Sequence, residues 1–356
     1  MWISNVKIKN FRNYTDENIS LNKNINIFYG ENAQGKTNII ESIFLCGMGK
    51  SFRAKKDGEM INFDSQNSSI EVEFQKSDRD GKIKIELGTR KNIYLNGIKL
   101  KKLSELIGNI NLVIFTPDDI NILRGSPQER RRFLDIMISQ LRPNYLNCLM
   151  LYLKTLEQRN NYLKQIKEDG KDESLLDIWD EKLADYAVSI YKYRFEFINK
   201  LQEKIEKIHE DITENKEKIV IEYVSMCEEK NLFLKALKER RKLDIIKGFT
   251  TRGIHRYDFK IYINEKEVDI YGSQGQNRTA MLSLKLAELK VVYDEIGEEP
   301  ILLLDDFMSE LDSKRRKSFL ENIGDTQVII TCTEKFTLEN LKTFSYNVKS
   351  GKIYKD

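Results

Sequence analysis

Eight consecutive residues constrain this chain more than any others: Gly30-Glu31-Asn32-Ala33-Gln34-Gly35-Lys36-Thr37. They fit G-x-x-x-x-G-K-[ST], a pattern that needs a strand before it and a helix after it. Both are expected. Ile25, Ile27 and Tyr29 alternate as in a strand, and the stretch from about Lys36 to Cys46 reads as a helix. In such a loop the backbone N–H groups converge on phosphate oxygens at a helix N-terminus. Gly30 and Gly35 allow backbone angles and close approach that a Cβ would block. Lys36 would bring positive charge to the β- and γ-phosphates, and the Thr37 hydroxyl would ligate Mg²⁺. By itself the pattern says only that a nucleotide binds.

A second constellation lies near the other end. Ile301 to Leu304 is an apolar run that ends on Asp305 and Asp306. A buried strand ending in two carboxylates is costly unless a cation compensates them. Asp305 would hold Mg²⁺, and Asp306 would orient or activate an attacking water. A solvated strand end is the other reading. Ser309-Glu310-Leu311-Asp312 follows shortly after. Upstream stands Tyr271-Gly272-Ser273-Gln274-Gly275-Gln276-Asn277-Arg278, directly before a helix expected over Thr279 to Glu295. Taken alone, that segment is equally an ordinary helix cap.

Between the two constellations the pattern changes. Residues 1–120 read as short strands: one around Ile3 to Ile8, others at 70–75, 82–88 and 92–95, and a compact apolar one from Asn111 to Phe115. Turns are expected at Asp80-Gly81 and Asn96-Gly97. From 126 to 242 helical periodicity dominates. Trp179, Leu183, Tyr186, Ile190, Tyr193, Phe197, Leu201, Ile205 and Ile208 step by threes and fours along one helix. That stripe predicts a helix packed on its neighbours, with a short antiparallel coiled coil as the sharper form. Strands are expected again at Asp258 to Ile263, Ile301 to Leu304 and Val328 to Ile330, the last two buried and parallel. The helical block is thus expected to be an insertion within one α/β domain.

Composition excludes some classes. The 59 basic and 56 acidic residues nearly balance, so a nucleic-acid surface would have to come from local patches. Cys46, Cys148, Cys227 and Cys332 show no CxxC spacing and read as reduced thiols. No run of about 18 apolar residues and no leader-like start appears, so a cytoplasmic protein with no membrane partner is expected.

The order of the parts carries a resemblance. Phosphate loop, inserted helices, S-x-G-Q before a helix, four apolar residues with Asp305-Asp306, and S-x-L-D resemble the ABC-type ATPase heads of the SMC and RecF group. Further segments look like the RecF family: Lys9 to Tyr14, Gly49 to Arg53, Thr116 to Asp119, Gly125 to Pro127, Arg131 to Asp135 and Arg252 to Asp258. The insert of about 115 residues is far shorter than the coiled-coil arms of SMC proteins. The resemblance implies an α/β fold, an ABC-type head of mixed sheet with a small antiparallel β subdomain, over 1–120 and 245–356. A helical arm would fill 121–244.

It also implies function. Two chains would close around ATP and Mg²⁺, with Ser273, Gly275 and Gln276 of one covering the γ-phosphate held by the other. Arg12 would lie near the nucleotide, and Ser309 and Asp312 would form the D-loop. The expected protein is a slow, DNA-stimulated ATPase used as a dimerisation switch, binding duplex DNA beside single-stranded gaps and acting with RecR, and indirectly RecO and RecA. An SMC-like DNA-bridging ATPase and a transporter-type ABC subunit are the alternatives. Ile254 and Tyr257 depart from the family's G-P-H-R-D-D stretch. Thr331-Cys332-Thr333 stands where transporter subunits carry a switch histidine. No glutamine names itself as the link between ATP and the arm; Thr116 to Asp119 occupy its place.

DNA contacts would fall on Lys50 and Arg53, on Arg130, Arg131 and Arg132, and on Lys238, Arg240, Arg241 and Lys242. Charge runs of this kind are also what solvated helix faces look like. No base-reading motif is present, so any binding should be sequence-independent.

Overall fold

The computed structural model describes residues 1–225, 228–336 and 341–356, without the side chains of Ser309, Glu310, Ser313, Lys314 and Lys317. Cys227 and the Ser309 side chain therefore lie outside the described residues. By its internal contacts the chain divides into two units, residues 1–119 with 282–356, and residues 120–281.

The first unit begins with β1 (Trp2–Phe11), β2 (Tyr14–Ser20), β3 (Ile25–Tyr29), α1 (Lys36–Met48), β4 (Ser68–Gln75), β5 (Asp80–Leu87), β6 (Asn92–Leu95), β7 (Ile98–Lys99) and β8 (Leu112–Phe115). The second contains α2 (Ile120–Arg124), α3 (Pro127–Leu141), α4 (Pro143–Asp169), α5 (Leu176–Thr213), β9 (Ile219–Val224), α6 (Lys230–Lys247), β10 (Asp258–Ile263), β11 (Lys266–Glu267) and α7 (Val268–Tyr271). Helix α8 (Gln274–Ile296) leads the chain back to β12 (Ile301–Asp305), α9 (Ser313–Asn322), β13 (Val328–Cys332), β14 (Thr343–Lys349) and β15 (Lys352–Lys355).

Two sheets build the first unit. The antiparallel one runs β2-β1-β4-β5-β6-β7. Its strands alternate: Ile70, Val72 and Phe74 of β4 and Ile83, Ile85 and Leu87 of β5 face inward between polar neighbours. The other runs β15-β14-β3-β13-β12-β8, parallel except for β15 at its edge. Here β12 and β13 are buried from end to end, as central parallel strands must be. Helix α1 packs on β12 and β13 and also on β1, β4 and β5. Covered on both sides, it buries Ile39, Ile40, Ile43, Phe44 and Leu45 rather than a single stripe.

One expected turn is displaced. Asp80 and Gly81 lie in β5, paired with Gln75 and Phe74, and the reversal occurs at residues 76–79, where Lys76 N–H donates to Arg79 O at 2.8 Å. The Phe74 ring lies over Gly81, within 2.2 Å of where a Cβ would be. The glycine thus makes room for an aromatic side chain instead of bending the chain. The Asn96-Gly97 turn forms as expected, with φ of 51° and 82°.

In the second unit α5 runs for 38 residues, roughly 57 Å at 1.5 Å per residue. Leu183, Ile190, Phe197, Leu201, Ile205 and Ile208 are buried along it against α3, α4, α6 and β9. The packed reading of the stripe therefore holds. Strands β11-β10-β9 form a small antiparallel sheet in this unit. Residues 245–281 group with these helices and strands.

Candidate functional site

Strands β3, β13 and β12 end side by side. Tyr29 registers with Cys332, and Thr331 with Asp305. Beyond β3 the chain turns through Gly30 at φ 153° and Gly35 at φ 115° before entering α1. A Cβ at Gly30 would lie 2.3 Å from the Val348 carbonyl oxygen, and one at Gly35 2.6 Å from the Asn13 amide. Both glycines are thus required by angle and by space. Ala33 also takes a left-handed φ of 64°.

The loop is fastened from outside. Asn13 Nδ2 donates to Gln34 O at 2.7 Å, and Tyr14 Oη donates to Gly35 O at 3.0 Å. Ser350 N–H donates to Gln34 Oε1 at 2.5 Å. These bonds pre-set the loop, so a ligand would not have to order it.

Lys36 is buried to 7% exposure and folds over the loop, donating to Gly30 O at 2.6 Å and Glu31 O at 2.7 Å. Burial pulls its pKa below the usual lysine value, against the opposing pull of Asp306, Cys332 and Asp305. An ammonium has three donors, and an incoming phosphate would compete for them with two neutral carbonyls only.

Asp305 Oδ1 accepts from Thr37 Oγ1 and from Thr331 Oγ1, each at 2.8 Å. Burial pushes this carboxyl above its ordinary pKa, while the two hydroxyls and the Arg53 charge pull it down. Asp306 adopts φ 51°, and its N–H lies 3.0 Å from Thr331 Oγ1. Left-handed backbone at a non-glycine residue is uncommon, though aspartate tolerates it better than most. Thr331, which the sequence left as an open question, is the residue that joins the two acids to β13. All-oxygen donors of this kind suit a hard divalent cation.

Arg12 is held elsewhere than on the loop. Its guanidinium grips the fully buried Glu41 of α1 through Nε at 2.9 Å and Nη2 at 2.7 Å, and donates to Glu59 O at 2.7 Å. Glu41 also accepts from Ser51 at 2.5 Å. Nothing in the sequence singles out Glu41, because its partners Arg12 and Ser51 come from two separate segments.

In the second unit Ser273 starts α8 with a reciprocal capping box. Ser273 N–H donates to Gln276 Oε1 at 2.9 Å, and Gln276 N–H donates to Ser273 Oγ at 3.2 Å. Ser273 and Gly275 are exposed. An accepting hydroxyl still has its own proton to donate, so Ser273 can offer it outward to an anion at the helix N-terminus. In the first unit, Asp312 caps α9 by accepting from Arg315 N–H at 2.8 Å.

The candidate DNA cations divide. Arg130 is buried and forked onto Asp258 by two bonds of 2.8 Å. Arg131 is half-buried and donates to Tyr257 O at 3.1 Å. Arg241 is clamped by Asp180 at 2.7 Å and by Asp177. Lys50, Arg53, Arg132, Lys238, Arg240 and Lys242 are exposed. The sequence did not nominate Lys247 and Arg256, which lie 5.9 and 5.6 Å from the centroid of the exposed Phe249 ring. Among the described residues no helix is long and apolar enough to cross a membrane.

Comparison with known proteins gives a family and a fold. The family model for the RecF/RecN/SMC N terminal domain matches residues 2–353. The DNA replication and repair protein RecF of Acetivibrio thermocellus is 44% identical over 369 residues, covering 99% of this chain and all of that protein. A solved structure of the recombination mediator protein RecF-ATP in the RecFOR pathway superposes with a TM-score of 0.93 at 38% identity, over 99% of this chain and 97% of that one. The Smc head domain of Pyrococcus furiosus gives a TM-score of 0.58 at 16% identity, over 99% and 96%, a likeness of fold alone. The expected α/β head of ABC type with a helical arm is the fold these proteins share.

Proposed function

The chain belongs to the RecF family, and from that premise we propose that it is an ATP-driven dimerising ATPase that binds duplex DNA in recombinational repair. The observation that carries this reading is the junction of the phosphate loop with two hydroxyls on one carboxylate, Thr37 and Thr331 on Asp305. Backbone N–H groups of Gly30 to Thr37 cradle the phosphates, and Lys36 leaves its carbonyls for the β- and γ-oxygens. Thr37 and Asp305 hold Mg²⁺, whose charge reverses the cost of burying that carboxylate. Mg²⁺ takes few protein ligands and completes its shell with phosphate and water. Asp306 and Thr331 orient the attacking water.

The other half of the site comes from a second chain. Ser273 and the N–H groups near Gly275 meet the γ-phosphate at the N-terminus of α8, with Ser309 and Asp312 alongside. ATP then holds two protomers together, and slow, DNA-stimulated hydrolysis releases them. RecR and RecO are the expected partners, in keeping with a relative described within the RecFOR pathway, and loading of RecA is the expected outcome.

Light scattering tests the proposal. The wild type should be monomeric alone and dimeric with ATP, Mg²⁺ and duplex DNA. Asp306→Asn should bind ATP, hydrolyse it about 10²- to 10⁴-fold more slowly, and accumulate as dimer. A wild type that stays monomeric under all these conditions rejects the reading.

A further inference from the structure

The residue linking the arm to the nucleotide, which the sequence left unnamed, has a candidate in the structure. Helix α5 ends at Thr213, after which Glu214 and Asn215 adopt left-handed φ of 56° and 57° and the chain doubles back. Glu217 thereby returns alongside the last turns of α5. One of its oxygens, Oε2, lies 3.3 Å from Nε2 of the fully buried His209. The other, Oε1, accepts from Gln276 Nε2 at 2.9 Å. Gln276 is the residue whose Oε1 accepts from Ser273 N–H. With Oε1 taken by Ser273 and Nε2 by Glu217, both ends of the amide are fixed, and reversing it would set donor against donor.

The backbone beside Glu217 is itself held. Lys218 N–H donates to Asn264 Oδ1 at 2.9 Å, Ile221 N–H donates to Gln202 Oε1 at 2.7 Å, and Gln202 Nε2 donates back to Ile219 O at 3.4 Å. Gln202 belongs to α5. A shift of α5 therefore moves the Glu217 carboxylate with it rather than being absorbed by a loose strand.

We propose that Glu217 is the positioning residue through which the long arm helix sets the conformation of the Ser273–Gln276 loop. The proposal rests on the reading that this loop meets a partner's ATP. Because the segment that carries Glu217 is bonded to Gln202 of α5 while its carboxylate accepts from Gln276, a load on α5 and the capping geometry of α8 share a single equilibrium. Whatever displaces the arm then changes ATP-driven dimerisation, and dimerisation favours one arm position by the same factor. Glu217 acts on the site only through Gln276, so its loss should spare the protomer's own phosphate loop.

Three variants of the full chain separate the possibilities. Glu217→Ala removes the acceptor, Glu217→Asp keeps the charge but withdraws it, and Glu217→Gln keeps an acceptor oxygen at full length. Amide exchange at residues 273–279 of the nucleotide-free monomer should be about tenfold faster in Glu217→Ala and Glu217→Asp, and close to wild type in Glu217→Gln. ATP affinity of the monomer should be the same in all. The dimer dissociation constant in ATP should rise about 10- to 100-fold for Ala and Asp and be restored by Gln. If Glu217→Ala fails to fold, the Asp and Gln variants make the same comparison. Unchanged exchange in the Asp variant, or a Gln variant as impaired as Asp, overturns the positioning role. Faster exchange rescued by Gln, in a protein that ATP does not dimerise, upholds the positioning and rejects the function assigned to the loop.

Discussion

Both units bury charge in ion pairs, Arg12 with Glu41 and Lys285 with Glu288 in the first unit, but at the phosphate loop charge is satisfied differently. In the unit that carries the phosphate loop, Lys36 rests on backbone carbonyls and Asp305 on hydroxyls. In the helical unit each buried guanidinium meets a carboxylate. Arg159, fully buried, donates to Asp180 at 2.6 Å and to Asp244 at 2.8 Å, with Thr250 alongside. Arg194 donates to Asp135 at 2.7 Å, to Ile254 O and to Tyr145 Oη. Neutral partners leave a charge ready for a stronger one, whereas a carboxylate neutralises it for good. The first arrangement waits for a ligand, and the second holds helices in register.

The contrast makes opposite demands on function and stability. Lys36→Ala should lower ATP affinity about 10²- to 10³-fold, the worth of two charge-assisted phosphate contacts, as titration calorimetry would measure. Its unfolding midpoint should hardly move, because a desolvated charge has been removed. Unchanged ATP affinity would break the comparison at its strongest point.

Arg159→Met should do the reverse. Asp244 then loses the Arg159 cation while Asp180 keeps Arg241, at a cost of about 3–5 kcal/mol in denaturant unfolding. ATP binding to the folded fraction should be unaltered. A loss under 1 kcal/mol would mean that this network is not what fastens α4, α5 and α6 together.

A smaller effect comes from His255. Its Nδ1 lies 2.7 Å from Tyr152 Oη and its Nε2 lies 3.2 Å from Thr250 O, so Nε2 carries the proton and Nδ1 accepts from the tyrosine. Burial pulls its pKa down to about 4. The unfolded chain, near pKa 6.5, takes up this proton first as pH falls. Its contribution is therefore complete above about pH 6.5 and is lost progressively toward pH 4, by about 3 kcal/mol in all. Urea unfolding at pH 7 and pH 4.5 should show a steeper loss for the wild type than for His255→Gln. Equal losses would remove His255 from the network's account.

The smallest effect sharpens the division among surface cations. Arg240→Ala and Lys242→Ala should each lower the log–log salt slope of duplex binding by about 0.9 if they touch phosphates. Arg130→Ala and Arg241→Ala should cost stability instead, since their charges are held by Asp258 and by Asp177 with Asp180. A salt slope altered by Arg130 and not by Arg240 would reverse the assignment.

Sequence legibility follows the range of the forces involved. The phosphate loop, β12 with its two acids and the long stripe of α5 were readable because each is written in consecutive or periodic residues. The Asp80-Gly81 turn was misplaced because Phe74, seven residues before Gly81 and across the hairpin from it, claims the space over that glycine. Strands β2, β14 and β15 carried no signal strong enough to be expected. Arg12 drew a role near the nucleotide from resemblance alone, while its fork in this structure is held by Glu41.

By itself, then, the sequence determined that a strand, a glycine-bounded loop and a helix would follow one another, because those angles are local properties of eight neighbouring residues. Only the tertiary structure decided what each charge is for. Arg130 and Asp258 are 128 residues apart, Arg241 and Asp180 are 61, and Gln276 and Glu217 are 59. A cation in a run of cations reads as surface until the fold brings its carboxylate to it. The electrostatic energy depends on that distance in space and on the water excluded around it, and neither is written along the chain.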